Sequence, residues 1–370
     1  MIDVLGIINF EGNTVDIQGI QDYRPVAATS FLGRYRLVDF MLSNMTNSGI
    51  SDIQVYVKEK PRTMIEHLKD GKQYNINSKR GNLSIMHGEK RVISEVYNTD
   101  VENFMQNLQF IEDSSKTYVA VAPSYMLYTI DFETVLNSHV ANDNDITVLY
   151  HNTDAAKEQF LACDTLIMNK EKRITGMEPN RGKYKSRTIS MEAYVMKKGL
   201  FIDLVKRAAS TSSLYWFRDI LKDVLDEYNV VGYPVRGYVA CINTLPAYLK
   251  TSMELTNFET TEKLLRPEWP IHTLTNDSAP TLYNGATVKR SLIANGCTIE
   301  GTVENCVIGR NVTVKKGAVL KNCVVLSGAY ISGGAVLTNC VVDKYSIVHH
   351  KKELIGTEND PVYVKRRDRV

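Results

Sequence analysis

The segments Glu304-Asn305-Cys306-Val307-Ile308, Lys321-Asn322-Cys323-Val324-Val325 and Thr338-Asn339-Cys340-Val341-Val342 repeat one pattern, with successive cysteines 17 residues apart. Self-similarity at a fixed period restricts this part of the chain to stacked units that bury their apolar faces against one another. A shorter period runs inside the longer one: Ile308, Val314, Leu320 and Leu326 are six apart, as are Ile293 and Ile299, and Ile331 and Leu337. A left-handed parallel β-helix points one aliphatic side chain inward per hexapeptide, and three hexapeptides close a coil of about eighteen residues. The 17-residue spacing is one coil less one residue, and the register slips between Leu326 and Ile331. Glycines such as Gly296 and Gly317 fall between the aliphatic positions and suit corners that need positive φ. An antiparallel sandwich with frequent glycine turns is the competing reading of the same residues.

The repeat occupies the last third of a 370-residue chain, too long for one ordinary core. Before it, short β-branched runs (Val4 to Ile8, Ile53 to Val57, Thr117 to Ala122, Ile146 to Tyr150) alternate with helical patterns such as Val38 to Met45 and Thr63 to Leu68. Strands alternating with helices predict a mostly parallel α/β sheet, which binds ligands at the C-terminal ends of its strands. We therefore expect a Rossmann-like domain over 1–250, a linker over 251–284, a β-helix over 285–348 and a C-terminal tail over 349–370. Arg266 to Pro270 and the loop Asn276 to Pro280 read as the connector. His349-His350-Lys351-Lys352 and the tail Lys365 to Arg369 read as solvated charge.

Composition removes several function classes. A formal charge of +2 supplies no field for nucleic acid. The longest apolar runs fall short of the ~20 residues of a membrane span. Asp3 interrupts any signal-peptide pattern, so a cytoplasmic protein is expected. Six cysteines contain no CxxC pair, which leaves zinc and dithiol redox readings without a basis. A β-helix acyltransferase generally uses a coil histidine as base, and residues 285–348 contain none.

Tyr35-Arg36-Leu37-Val38-Asp39-Phe40-Met41-Leu42-Ser43-Asn44-Met45-Thr46-Asn47-Ser48-Gly49-Ile50 closely resembles the stretch after the first loop of glucose-1-phosphate adenylyltransferases, the ADP-glucose pyrophosphorylases. Thr63 to Leu68, Gln106-Asn107-Leu108, Ser190 to Val195, Thr244 to Tyr248 and Trp269-Pro270-Ile271-His272-Thr273 follow in the family's order. The resemblance implies a Rossmann-like nucleotidyltransferase domain joined to a left-handed β-helix, in an oligomer that is usually tetrameric. It also implies a reaction: a sugar phosphate attacks the α-phosphorus of ATP and pyrophosphate leaves. Such chemistry needs a glycine-rich loop, cationic side chains and Mg²⁺ held by two aspartates.

At those positions the chain departs from the family. The phosphate loop reads Ile8-Asn9-Phe10-Glu11-Gly12-Asn13-Thr14-Val15, with one glycine, no arginine and a repelling Glu11. Tyr125 stands at the first metal aspartate, or Ser124 if a gap shifts by one residue, and Cys241 stands at the second. Neither a phenol nor a thiol is a ligand for a hard cation. Glu178 takes the place of the lysine that holds the sugar phosphate, and Tyr215-Trp216 replaces an Asp-Phe pair ahead of Arg218-Asp219-Ile220. Tyr125, Tyr128, Tyr215 and Trp216 are expected to converge and occlude the pocket.

The pattern resembles the D-type second subunit of Gram-positive glycogen operons, which accompanies a catalytic subunit. That resemblance implies no metal on this chain, Mg²⁺ in the catalytic partner, a hetero-oligomer and room for self-association. Arg24, Ser190 and Glu102 remain as ligand-binding candidates, Arg34 and Arg36 extend a cationic pocket with Arg24, and Lys58, Lys60 and Arg62 are candidates for an anionic effector. The competing reading is a competent adenylyltransferase whose metal site has been rewired onto Asp100, Glu102 or Asp131.

Overall fold

Apolar runs without alternation require cover on both faces, and the strands of the first part are built that way. The computed structural model describes residues 2–12, 14–76, 81–88, 97–275 and 277–370. These form two compact units: Met1–Val15 with Val38–Cys241 and Glu268–His272, and Asp16–Leu37 with Ile242–Pro267 and Thr273–Val370. The segments 16–37 and 242–267 thus group with the β-helix, although the sequence reading placed both, up to residue 250, in the first domain. Among the described residues no helix is long and apolar enough to cross a membrane.

The first unit holds a nine-stranded sheet. Its centre is parallel, in the order Tyr118–Pro123, Val4–Asn9, Asp52–Val57, Asn82–His87. The long strand Arg187–Lys197 adds antiparallel beside Tyr118–Pro123 and carries Ile146–Thr153 and Asp164–Met168. Gly6 shows how tightly the helix Leu37–Asn47 is laid on the sheet, because a Cβ there would sit 2.8 Å from the Met45 sulfur. On another face Phe104 packs edge-on against Tyr56, Phe201 and Phe217, with ring centroids 4.8, 5.3 and 6.2 Å away. The connector is anchored within this unit: Trp269 Nε1 donates to Asn44 Oδ1 (2.9 Å), the His272 amide to Ser43 Oγ (2.8 Å), and Asn47 Nδ2 to the Pro270 carbonyl (2.9 Å). The residues of the family-like stretch are therefore partners of the Trp269-Pro270-Ile271-His272 segment. Asn276, assigned to the connector, lies outside the described residues.

The second unit is a three-faced parallel β-helix of three five-stranded sheets. Ile308 pairs with Val325, Val314 with Ile331 and Leu320 with Leu337, so the hexapeptide aliphatics stack face by face into the core. The antiparallel sandwich is excluded by this pairing. Cys306, Cys323 and Cys340 are fully buried, and their thiols donate to the carbonyls of Glu304, Lys321 and Thr338. Corner positions fall to Asn305, Asn322 and Asn339, at φ 51°, 50° and 52°. Asparagine tolerates that left-handed backbone better than other side chains.

The coil extends on both sides of 285–348. Leu282–Tyr283 pairs with Thr298–Ile299, Glu353–Ile355 with Val336–Thr338, and Val362–Val364 with Cys340–Val342. The stretch read as a solvated tail is therefore partly a further turn. His349 to Lys352 are exposed as expected but sit between strands, because Leu354, Val362 and Val364 carry the inward pattern past them.

Arg24 is buried in this unit, where its Nη2 donates to both carboxylate oxygens of Asp343 at 2.7 and 2.6 Å. Tyr363 donates its hydroxyl to the same carboxylate at 2.6 Å. The pair is 3% and 0% exposed, so each charge depends on the other. Asp343→Ala is expected to cost about 3–5 kcal/mol by leaving Arg24 buried and uncompensated. Replacing both partners with apolar residues of similar size should recover much of that loss, as read by chemical denaturation of the full chain.

Candidate functional site

The parallel strands Val4–Asn9 and Tyr118–Pro123 end side by side, with Asn9 opposite Pro123. An α/β sheet offers its ligand crevice at such ends. Here the residues that follow are turned onto one another. Asn9 Nδ2 donates to Asp100 Oδ2 at 2.8 Å, and the amides of Val101 and Phe217 donate to Asp100 Oδ1 at 2.8 and 2.9 Å. Three donors would ordinarily lower a carboxyl pKa. Burial outweighs them and lifts Asp100 to about 6, with the Glu192 charge adding to the rise.

The loop that should cradle phosphate rests on protein. Phe10 meets Trp216 edge-on at 6.0 Å, the Lys58 ammonium lies 6.0 Å from the Trp216 ring centroid, and a Cβ on Gly12 would lie 3.7 Å from Arg218 Nη1. Glu11 is buried at 6% exposure, which sets a carboxylate where an anionic ligand would need cations. Asn13 lies outside the described residues.

Glu192 is the centre of the arrangement. It sits at φ 49° in the bulge of the strand Arg187–Lys197 between Ser190 and Tyr194, a conformation that costs a non-glycine residue energy. The bulge directs its carboxylate inward, where it accepts from the Tyr125 hydroxyl and lies 3.6 Å from Arg218 Nη1. Burial raises the Glu192 pKa, and the Arg218 charge opposes the rise. Burial first, then Glu192, holds Tyr125 firmly protonated. Cys241 pairs with Met126, its Sγ lies 3.6 Å from Cys163 Sγ, and burial keeps its thiol protonated. Both expected metal positions are thus neutral, buried groups. Ser124, the alternative position, is also buried, and among the described residues its hydroxyl has no hydrogen-bond partner. Magnesium sites on proteins are usually anchored by one or two carboxylates, and Tyr125, Ser124 and Cys241 supply none. Among the described residues no group of three His, Cys, Asp or Glu side chains is arranged to hold a metal ion.

The other candidates scatter. Ser190 Oγ accepts from the Glu192 amide at 3.2 Å and so belongs to the bulge. Glu178 pairs with Arg187 at 2.9 Å near the surface, and Arg187 stacks on Tyr184 at 4.2 Å. Glu102 accepts from Gln106 on an exposed helix face, and Asp131 caps the helix Phe132–Ala141. Lys60 faces Glu59 at 3.8 Å and Arg62 pairs with Glu66 at 2.9 Å, while Lys58 alone of these three reaches Trp216. Arg24, Arg34 and Arg36 belong to the second unit, and Arg24 is consumed by Asp343. The four aromatics do not all converge, because Tyr215 turns its hydroxyl to Asp223 on the surface. Glu192, Arg218 and Asp100 form the centre, and sequence reasoning missed the first two as functional groups. Their signal was positional only, since Glu192 lies inside the family-like stretch Ser190 to Val195 and Arg218 opens the segment Arg218-Asp219-Ile220.

The family described as nucleotidyl transferase matches residues 23–257, and the GlmU-like C-terminal hexapeptide family matches residues 279–362. The chain belongs to the nucleotidyl transferase family. Within it the likeness to glucose-1-phosphate adenylyltransferases and glycogen biosynthesis proteins holds, and the second unit is the left-handed β-helix expected of them. The chain is 32% identical to "Glycogen biosynthesis protein GlgD" of Geobacillus stearothermophilus over 325 residues, covering 86% of this chain and 82% of that one. It is 30% identical to the protein of the same name in Bacillus subtilis (strain 168) over 369 residues, covering 98% and 96%. "Glucose-1-phosphate adenylyltransferase" of Thermosipho africanus is 28% identical over 300 residues, covering 80% and 72%.

Asp100 makes a measurable consequence of this packing. A folded carboxyl that keeps its proton to about pH 6, against 3.8 for the ordinary group, favours folding fully below pH 3.8 and loses that contribution as pH rises through 6. The stability of the wild-type chain relative to Asp100→Asn should therefore fall by about 3 kcal/mol between pH 3.8 and 6 and level off above. Denaturation of both proteins across that range checks it.

Proposed function

We propose that this chain is a subunit of an ADP-glucose pyrophosphorylase in glycogen biosynthesis, with an impaired active site of its own, and that it modulates a catalytic partner subunit. The observation that carries the reading is the pair of neutral groups, Tyr125 and Cys241, at the two positions where the reaction needs carboxylates on Mg²⁺. Attack of the glucose 1-phosphate oxygen on the α-phosphorus of ATP builds negative charge on the equatorial oxygens, and a metal and cations must meet it as pyrophosphate leaves. Loss of one such stabiliser costs about 10²–10³ in rate, and this chain lacks several together. The names of the two GlgD relatives support the glycogen role. On this reading Mg²⁺ is held by the partner, the assembly is a cytoplasmic hetero-oligomer, and nucleic acid and membrane are not partners.

A rewired metal site on Asp100, Glu102 or Asp131 would make the chain an enzyme in its own right. Against it stand the hydrogen bonds that already occupy both Asp100 oxygens, the Gln106 contact of Glu102 and the capping role of Asp131. Purified alone with ATP, glucose 1-phosphate and Mg²⁺, the chain should form ADP-glucose at least about 10³-fold more slowly than its complex with a catalytic subunit. Adding it to that subunit should also change kcat or KM. Robust magnesium-dependent turnover by the isolated chain rejects the proposal.

A further inference from the structure

The solenoid of the second unit begins without a cover. Its inward positions run in register from coil to coil: Tyr283 pairs with Ile299, Val288 with Val303 and Ile293 with Ile308. Ile299, Val303 and Ile308 are fully buried, but their first-coil counterparts are not. Tyr283 is 57% and Val288 37% exposed, and Ile293 is half-buried. A stacked repeat needs a polar terminal unit over its core, and this coil offers Tyr, Val and Ile instead. The backbone is open at the same place. Leu282–Tyr283, Thr287–Lys289 and Leu292–Ile293 are the outermost strands of the three sheets, so among the described residues each presents one unpaired edge.

The other end of the solenoid is finished differently. Residues 368–370 lie along Ile347–Val348: the Ile347 amide donates to the Asp368 carbonyl at 2.8 Å, the His349 amide to the Val370 carbonyl at 2.7 Å, and the Val370 amide to the Ile347 carbonyl at 3.0 Å. Val348 and Val364 are buried there, and Val370 packs against the core.

What fits the open end follows from its parts. It calls for three strands arranged as a triangle, to pair with three edges, around an apolar centre that meets Tyr283, Val288 and Ile293. A flat sheet edge supplies one strand, and a helix supplies none. The start of a second β-helix supplies all three. The finished end does not, because the chain's own last residues occupy one of its edges, so head-to-tail stacking into a filament is blocked. Two open ends related by a two-fold axis perpendicular to the solenoid bring their strands together antiparallel and close the pair. Edges that stay apart carry proline, charge or a bulge. Residues 281–293 contain no proline and no acid, and of the three edge strands only Thr287–Lys289 carries a charge, on Lys289.

We propose that the open end of the β-helix is the docking surface for a second copy of this chain, stacked start to start. Tyr283, Val288 and Ile293 of the two copies then share one core, and the free edges pair across the junction. The inference does not rest on the subunit role, because the chain alone, without ATP or a catalytic partner, should associate.

Sedimentation equilibrium of the full chain over a range of concentrations should show a monomer–dimer equilibrium. Tyr283→Glu and Val288→Glu place carboxylates on the junction and, at exposed positions, leave the buried coils intact. Each should raise the dimer dissociation constant about tenfold or more. Ile355→Glu, exposed and away from the open end, should leave it unchanged. Hydrogen exchange gives a readout that needs no variant, since the amides of the three edge strands should gain protection as protein concentration rises. The proposal is overturned if the chain stays monomeric at the highest concentration it tolerates, or if Tyr283→Glu and Val288→Glu dimerise as tightly as the wild type. It is also overturned if Ile355→Glu weakens the dimer equally, or if the edge amides gain protection only when a catalytic subunit is added.

Discussion

A carboxylate drawn into a protein interior must find a cation or a proton, and Glu192 does so at the place where the sheet would otherwise open to a ligand. Its left-handed backbone within the strand Arg187–Lys197 turns the side chain inward, and Arg218 and Tyr125 receive it. Once that contact forms, much of the rest follows. Arg218 comes under the Gly12 loop, Trp216 comes beside Phe10, and the helix beginning at Phe217 presents its first amide to Asp100. The ends of the strands Val4–Asn9 and Tyr118–Pro123 thereby become part of a hydrophobic and hydrogen-bonded interior. Strain at one residue is tolerated because the surroundings determine it from several sides.

The fold was largely legible from periodicity. Six-residue spacing of Ile308, Val314 and Leu320 stated the inward face of the solenoid, and the pairing of these residues with Val325, Ile331 and Leu337 follows from it. The end of the coil was not legible, because the charged run His349 to Lys352 interrupts the aliphatic pattern while the backbone keeps turning. At single positions the sequence could say only that Tyr125 and Cys241 are wrong for a hard cation wherever they point. The contact between Glu192 and Arg218 could not be read, because they meet through a bulge and a loop that no local pattern encodes. Arg24 shows the same limit. A cation next to a family-like stretch suggested a ligand contact, and its partner, Asp343, lies more than three hundred positions along the chain.

The two units use buried charge differently. In the second, Arg24, Asp343 and Tyr363 join a segment near the start of the chain to the final turns of the coil. Such a pair contributes little net energy over an apolar core but penalises every arrangement in which one partner is missing. In the first, the Glu192 and Asp100 carboxyls are both shifted upward by burial, which weakens the acidity of each.

The last turn of the solenoid carries a consequence for how the chain survives in a crowded cell. Val362–Val364 lies against Cys340–Val342, and Glu353–Ile355 against Val336–Thr338, so two of the three faces end one rung later than the aliphatic pattern suggests. A product shortened at residue 348 would bare the backbone donors and acceptors of both inner strands at once. Bare parallel edges recruit other chains. Residues 349–370 therefore cover two strand edges as well as supplying Tyr363.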